Sequence, residues 1–427
     1  MQMSLESRFE LMKSKVNLVG WGLIVILVGT ALLSLQNPAR ENLVPYAPYF
    51  QLGLQIGAFL LLAPFVRIRM RSKNLTFLIL FYILFLTALV SALWSSHSEL
   101  VFRRTLMVMI SSSCVALLAL SDSRPLATFG CLAKVLALFG AGVSLVGLLV
   151  YFLGELRTVN YGTIQVLSIG SFHLAQRVYG PLPYLRLSSL FGNPNTLASW
   201  LLITITLTMF LIFTDGRKLW KLLFALQLIT LTLTFSRAGI FLTVLSLLLF
   251  LWFSGSRRGL AWSFLCLLAI TGIVFLIWPS VLEFQRFSFD LNLRQLAWQP
   301  LWEYIRNNPF SGVGFGVSYE ALLEPAGVEI TAHNAFLAIW SEVGILGLIL
   351  WLCLWLFPVY FAKKFLPLAI GEARLALSTA LALTLSLLVH QFFEASILRY
   401  GFHTLLWAYL LALMVHPKKG RICPYVT

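Results

Sequence analysis

The chain has little charge. Only 11% of its 427 residues are Asp, Glu, Lys or Arg, and just 16 of these are acids. A soluble domain carries roughly 25% charged residues. A soluble enzyme, a nucleic-acid binder and a disordered chain are therefore excluded as readings of the whole. Cysteine is scarce too. Cys114, Cys131, Cys266 and Cys353 fall in apolar segments and Cys423 in a basic tail. None sits where an oxidising compartment would favour pairing, so no disulfide is expected. A nucleotide fingerprint is also missing: the glycine run Gly312, Gly314, Gly316 has the wrong spacing and no strand before it.

What is present is apolar. Hydrophobic residues make up 59% of the chain and the mean hydropathy is +0.88. A membrane-spanning helix needs about 20 apolar residues. Runs of that kind occur at 17–35, 49–66, 75–94, 104–121, 126–153, 196–214, 217–235, 237–254, 259–278, 334–361, 375–393 and 396–415. The expected fold is all-α: a polytopic integral membrane protein of about twelve transmembrane helices, with a large outer loop carrying short helices. Residues 1–427 form a single transmembrane domain. The first run is longer than a signal h-region and no small-x-small cleavage site follows closely, so it reads as an uncleaved helix. Only Ser236 and Arg237 separate two runs, which demands a very tight turn there.

Sidedness follows from the cations. The net charge of +15 is that of a membrane protein with basic cytoplasmic loops, not a nucleic-acid footprint. With the N-terminus inside and the spans alternating, the inner segments hold 19 Lys and Arg against five acids. Both termini are then cytoplasmic. The eleven outer cations are all arginine: 40, 103, 104, 157, 177, 186, 237, 286, 294, 306 and 399. Arginine presents a planar fork that grips phosphate oxygens in pairs. Lys134, inside a span, has no such account. Two outer connections are long, 154–195 and 279–333, and long loops in compact folds are usually functional.

The chemistry-bearing residues gather in and beside these loops. In 292–308, Trp298, Leu301, Trp302 and Ile305 recur at helical spacing, and Arg294 shares the face of Trp298. Such an amphipathic helix lies in the headgroup layer, and Pro300 must kink it or start a second helix. Thr331-Ala332-His333-Asn334 opens a span, and a neutral imidazole there can serve as a general base. A histidine merely hydrogen-bonded at a helix end is the plainer alternative. Glu342 lies in the same apolar run, where an ionisable residue is a functional candidate by default. Arg237 sits at the tight turn. Arg186 precedes Gly192-Asn193-Pro194-Asn195, in which Asn193 could cap the next helix. Glu394, Arg399, His390 and His403, near the last two spans, could pair with one another and read as structural first. Arginines and a histidine at one membrane face suit a lipid diphosphate leaving group: the arginines stabilise charge on the departing phosphate, and the histidine takes a proton from an incoming hydroxyl.

The order of these motifs resembles the O-antigen ligase and polymerase family of bacterial envelope glycosyltransferases. The resemblance rests on 190–199 (LFGNPNTLAS), 234–239 (TFSRAG), Arg294 with Trp298, 308–316 (NPFSGVGFG), 332–347 (AHNAFLAIWSEVGILG) and the closing Phe393-Glu394. It covers about residues 185–400. It implies a donor glycan on undecaprenyl diphosphate, and transfer to a sugar of the lipid A core or to another repeat unit. It also implies an inverting, metal-independent reaction with no cofactor. By motif position it makes Arg237, Arg294 and His333 the catalytic residues. Arg186 and Asn195 fall in the family's third region. With Asn334, Glu342 and Arg306 they form the candidate substrate-binding set. The short 316–333 connection favours a ligase over an O-antigen or exopolysaccharide polymerase, and the polymerase stays open as the alternative.

Two other classes compete. A polysaccharide-lipid transporter needs polar residues along a path through the midplane, whereas here the polar clusters sit at one face. An envelope scaffold has no need of Arg237, Arg294 and His333.

Overall fold

A computed structural model describes residues 16–35, 47–68, 71–159, 162–180, 185–256 and 291–415. The apolar runs become helices because, without water, only intrahelical bonding satisfies every backbone group of a spanning segment. They are α1 (Leu18–Leu33), α2 (Ala47–Leu62), α3 (Ser72–Val90), α4 (Ser98–Ser121), α5 (Pro125–Leu153), α6 (Pro194–Asp215), α7 (Lys218–Leu233), α8 (Arg237–Ser254), α9 (Leu291–Asn307), α10 (Ala335–Phe365), α11 (Gly371–His390) and α12 (Phe402–Val415). Among the described residues, eight helices are long and apolar enough to cross a membrane, and α1 and α12 are shorter apolar helices. The chain is an integral membrane protein. The run 259–278 with Cys266 lies outside the described residues, as do Arg40, Arg286, the first fifteen residues and the basic tail with Cys423. Cys114, Cys131 and Cys353 are free thiols.

Two helices form the centre. Helix α6 packs against α5, α7, α8 and α11, and α12 against α3, α4, α10 and α11. Helix α12 is buried from Thr404 to Val415. Lipid is as apolar as leucine, so burial alone does not hold such helices together; close packing and interhelical hydrogen bonds do. Gln227 on α7 accepts from Thr204 at 2.6 Å and donates to Thr208 and the Ala137 carbonyl, binding α5, α6 and α7. Thr206 donates to Ser246 across to α8 at 2.9 Å. Each such bond is worth on the order of 0.6 kcal/mol.

The all-α expectation needs a correction. The first long loop carries a four-stranded antiparallel sheet, β1 (Glu155–Val159), β2 (Gly162–Ile169), β3 (Phe172–Tyr179) and β4 (Arg186–Leu187), paired in sequence order. Alternation is the cause. Ile164, Val166 and Ala175 share one buried face, and Gly170, at φ 61°, supplies the β2–β3 turn. Gln165 and Gln176 are directly opposite, buried and bonded to each other at 3.0 Å. They lie on the face opposite Ile164, Val166 and Ala175, so both faces of the sheet hold buried residues.

Helix α9 also departs from expectation. Pro300 lies inside a single helix. Ala297, Leu301 and Ile305 are buried, and the first two share a small core with Leu323, Ala332 and Ala338. That packing fixes α9 against the segment that opens α10. Trp298 is not free to rest among headgroups: its indole donates to the Ala332 carbonyl at 2.7 Å.

Helix α10 is broken at Gly344, whose φ of 78° and ψ of 178° are not helical. The break frees the carbonyls of Ser341 and Glu342. They accept from Val313 and Gly314, both at 2.9 Å, while the Ile345 amide turns to the Pro309 carbonyl at 3.0 Å. The glycine run therefore lies directly against the broken helix. A Cβ on Gly312 would strike the Glu342 backbone, and one on Gly344 the Phe310 carbonyl.

Candidate functional site

The sheet marks one end of the bundle, and the candidate residues collect there. Helix α5 runs into β1, and β4 leads to the start of α6. Asn193 caps α6 by accepting from the Asn195 amide at 2.7 Å, and Pro194 occupies the first turn. This presents Asn195 to Arg186, whose guanidinium donates to Asn195 Oδ1 at 2.8 Å and to the Thr234 carbonyl at 3.0 Å. Thr234 ends α7 and Ser236 caps α8, so Arg237 stands at the first position of α8. The tight turn is built as the sequence requires, with Phe235 at φ 47°. Burial, and after it the Arg237 charge, pulls Arg186 below the ordinary guanidinium value. The two arginines thus feel one another across the α6–α8 junction.

A second group forms around His333. The residue is half-buried and holds φ at 46°, a left-handed conformation unusual for a non-glycine. Three neighbours fix it. Trp298 bonds the Ala332 carbonyl. Asn334 caps α10 through the Leu337 amide at 3.1 Å. The Ala335 amide donates to the Gln391 carbonyl at 2.8 Å. Its Nδ1 lies 3.0 Å from both carboxylate oxygens of Glu394, just past the end of α11. Arg294, one turn before Trp298 on α9, is half-buried. Helix α11 packs along α8, so Glu394 and Arg237 sit at the same end of neighbouring helices.

The strained backbone collects here as well. Among the described residues, the non-glycine positive φ values belong to Ser189, Phe235, His333 and Leu398. All four lie in turns at this end, and backbone strain of this kind concentrates at functional sites.

Glu342 is placed otherwise. It is fully buried and accepts from Gly316 N at 2.8 Å, Ser318 Oγ at 2.6 Å, and Arg399 at 2.6 and 3.2 Å. Its contacts fasten the glycine run to the helix break. Arg306 is exposed and lies over the Trp302 ring, 5.5 Å from its centre. Arg104 donates to Glu320 at 2.6 and 3.0 Å and to the Gly316 carbonyl. Several outer arginines therefore serve the protein's own acids and rings.

The pairings at the last two helices differ from the sequence expectation. Glu394 turns to His333, and Arg399 to Glu342. His403 meets Ser199 at 3.1 Å, and His390 lies 3.4 Å from Ser396. Glu394, read from the sequence among the structural groups, is the residue that meets His333. Its only signal was its position in the closing Phe393-Glu394 motif. No group of three or more His, Cys, Asp or Glu that could hold a metal exists among the described residues.

Residues 222–352 match the family model described as O-antigen ligase. No curated protein matches the chain. The matched segment runs from α7 through the glycine run and past the break in α10. It contains Arg237, Arg294, His333, Asn334 and Glu342. Arg186, Asn195, Glu394 and Arg399 lie outside it, and the fold brings them to its residues.

Proposed function

We propose that the protein is an O-antigen ligase-like glycosyltransferase. It moves a glycan from undecaprenyl diphosphate to a lipid A core sugar at the periplasmic face of the inner membrane. The observation that carries this reading is that Arg186 bonds the carbonyl of Thr234, three residues before Arg237, at the bundle end where His333 meets Glu394. The opposite helix ends carry Arg124, Arg217, Lys218, Lys221, Lys363 and Lys364, which supports a cytoplasmic assignment for them and a periplasmic one for the sheet end.

In this mechanism the acceptor hydroxyl attacks the anomeric carbon from the face opposite the diphosphate, and configuration inverts. The new C–O bond forms as the bond to the diphosphate oxygen breaks. The hydroxyl proton passes to the His333 imidazole. The electron pair leaves on the diphosphate, whose growing charge Arg237 and Arg294 stabilise, with Arg186 held beside them by Asn195 and Thr234. Arginine side chains supply this stabilisation, so neither metal nor cofactor enters the scheme.

The test is glycan analysis of envelope extracts from a deletion strain restored with wild type, His333→Ala or Arg294→Ala. Full-length polymer held on the lipid carrier, with bare core, is the expected result for the empty strain and both variants. Single repeat units on carrier or core would make the protein a polymerase. Normal glycan from both variants would remove the catalytic assignment.

A further inference from the structure

The geometry points to Glu394, outside the matched ligase segment, as the positioning residue that sets the His333 imidazole for proton transfer. This inference rests on the proposed function, because it gives Glu394 a task only if His333 accepts the acceptor proton.

A neutral imidazole carries one N–H and one lone pair, and the hydrogen bond made by one nitrogen decides which nitrogen keeps the proton. Both Glu394 oxygens lie 3.0 Å from Nδ1. A carboxylate only accepts, so Nδ1 must be the N–H and Nε2 carries the lone pair. The carboxylate also faces the positive charge that the ring gains on taking a proton. Neither side chain is sealed from the acceptor: His333 is 30% exposed and Glu394 34%.

The turn after α11 is built to hold this carboxylate. The Glu394 and Phe393 amides both donate to the His390 carbonyl, at 3.0 and 2.9 Å. Gln391 is fully buried. Its side chain accepts from the Ile397 amide and donates to the Leu387 carbonyl and Ser396 Oγ, while its carbonyl receives the Ala335 amide. One residue therefore ties the Glu394 turn to the start of α10, two residues past His333. Phe392 stacks on Phe336 with ring centres 4.1 Å apart and closes the same junction.

The experiment uses full-length protein in proteoliposomes. The donor is polyprenyl-diphosphate-linked glycan extracted from the deletion strain, the acceptor is that strain's bare lipid A core, and release of polyprenyl diphosphate is the readout. Glu394→Leu removes the acceptor from Nδ1 and should lower kcat about a hundredfold or more, within the range of lost general-base catalysis, with KM for the donor unchanged. Glu394→Gln keeps a carbonyl that can accept and should fall between the two. In a His333→Ala background neither change should cost further rate, because residues acting as a unit are not additive. A structural role would instead multiply the losses and lower thermal stability together with rate. Should Glu394→Leu fail to fold, the Gln variant and its double mutant carry the test. Full kcat in the Glu394 variants beside an inactive His333→Ala overturns the positioning role alone. Full turnover by His333→Ala overturns the reading on which it rests.

Discussion

Two carboxylates near the same helix ends face cationic or ionisable side chains at about hydrogen-bond distance, and they do different work. Glu342 is wholly buried and takes four hydrogen bonds from Gly316, Ser318 and Arg399. Glu394 is one-third exposed, and its carboxylate meets the His333 imidazole. Distance does not separate the two pairs; saturation and exposure do. A buried carboxylate whose lone pairs are all bonded to the protein fixes structure. An exposed carboxylate against an imidazole can change the proton state of its partner while the fold stays as it is.

Breaking each pair should give opposite signatures. The largest effect is expected from His333→Ala: donor turnover should fall by about 10²–10⁴-fold, with thermal unfolding in detergent close to wild type. Equal losses in both measurements would erase the contrast. Next, Glu342→Ala should destabilise the protein by about 3 kcal/mol, the low end for a broken buried pair, because Arg399 keeps contact with water. Denaturant unfolding in mild detergent measures this. An unchanged midpoint would show that the Glu342 junction is not structural.

A smaller change sharpens the comparison from the His333 side. Trp298→Phe keeps the ring and removes the bond to the Ala332 carbonyl. One such bond contributes about 1 kcal/mol, so donor turnover should fall no more than about fivefold, with stability lowered by a similar free energy. A loss as large as that of His333→Ala would mean that α9 carries catalysis itself.

The smallest expected effect is one of pH. Burial works to raise the Glu320 carboxyl, but the hydrogen bond and charge of Arg104, a backbone hydrogen bond and the nearby His97 together outweigh it and hold the group below the usual carboxylate range. A folded-state value below the unfolded value stabilises the fold above the unfolded value, near pH 4.3. That contribution is lost as pH falls through the lowered folded value. Glu320→Gln should therefore flatten the acid side of the stability profile and leave the neutral side parallel to wild type. Arg104 is 37% exposed, so solvent screens the pair and the effect is modest.

Much of this fold is legible in the chain. The apolar runs mark their helices because each spanning helix bonds its own backbone. The Asn193 cap and the Ser236–Arg237 turn are equally local, and both are built as the sequence requires. The sheet was not read from the sequence, because its strands are short and the bond that joins Gln165 to Gln176 is made between strands, where no local pattern shows it. Nor was the glycine run. Its glycines suggest an open backbone for a ligand, yet Gly312 is needed so that the run can lie on a helix broken 32 residues later at Gly344.

The sequence by itself determined the membrane class, the positions of the helices, the excess of cations at alternate ends, and the arginine and histidine motifs. These depend on residue type and on neighbours within a few positions. Tertiary structure alone decided the partners. His333 and Glu394 are 61 residues apart, Glu342 and Arg399 are 57, and Arg186 reaches Thr234 across 48. Each charged side chain could have met several others at the same bundle end. Which one it meets is fixed by helix packing, by the break at Gly344 and by the turn that Gln391 holds, and no local pattern encodes those.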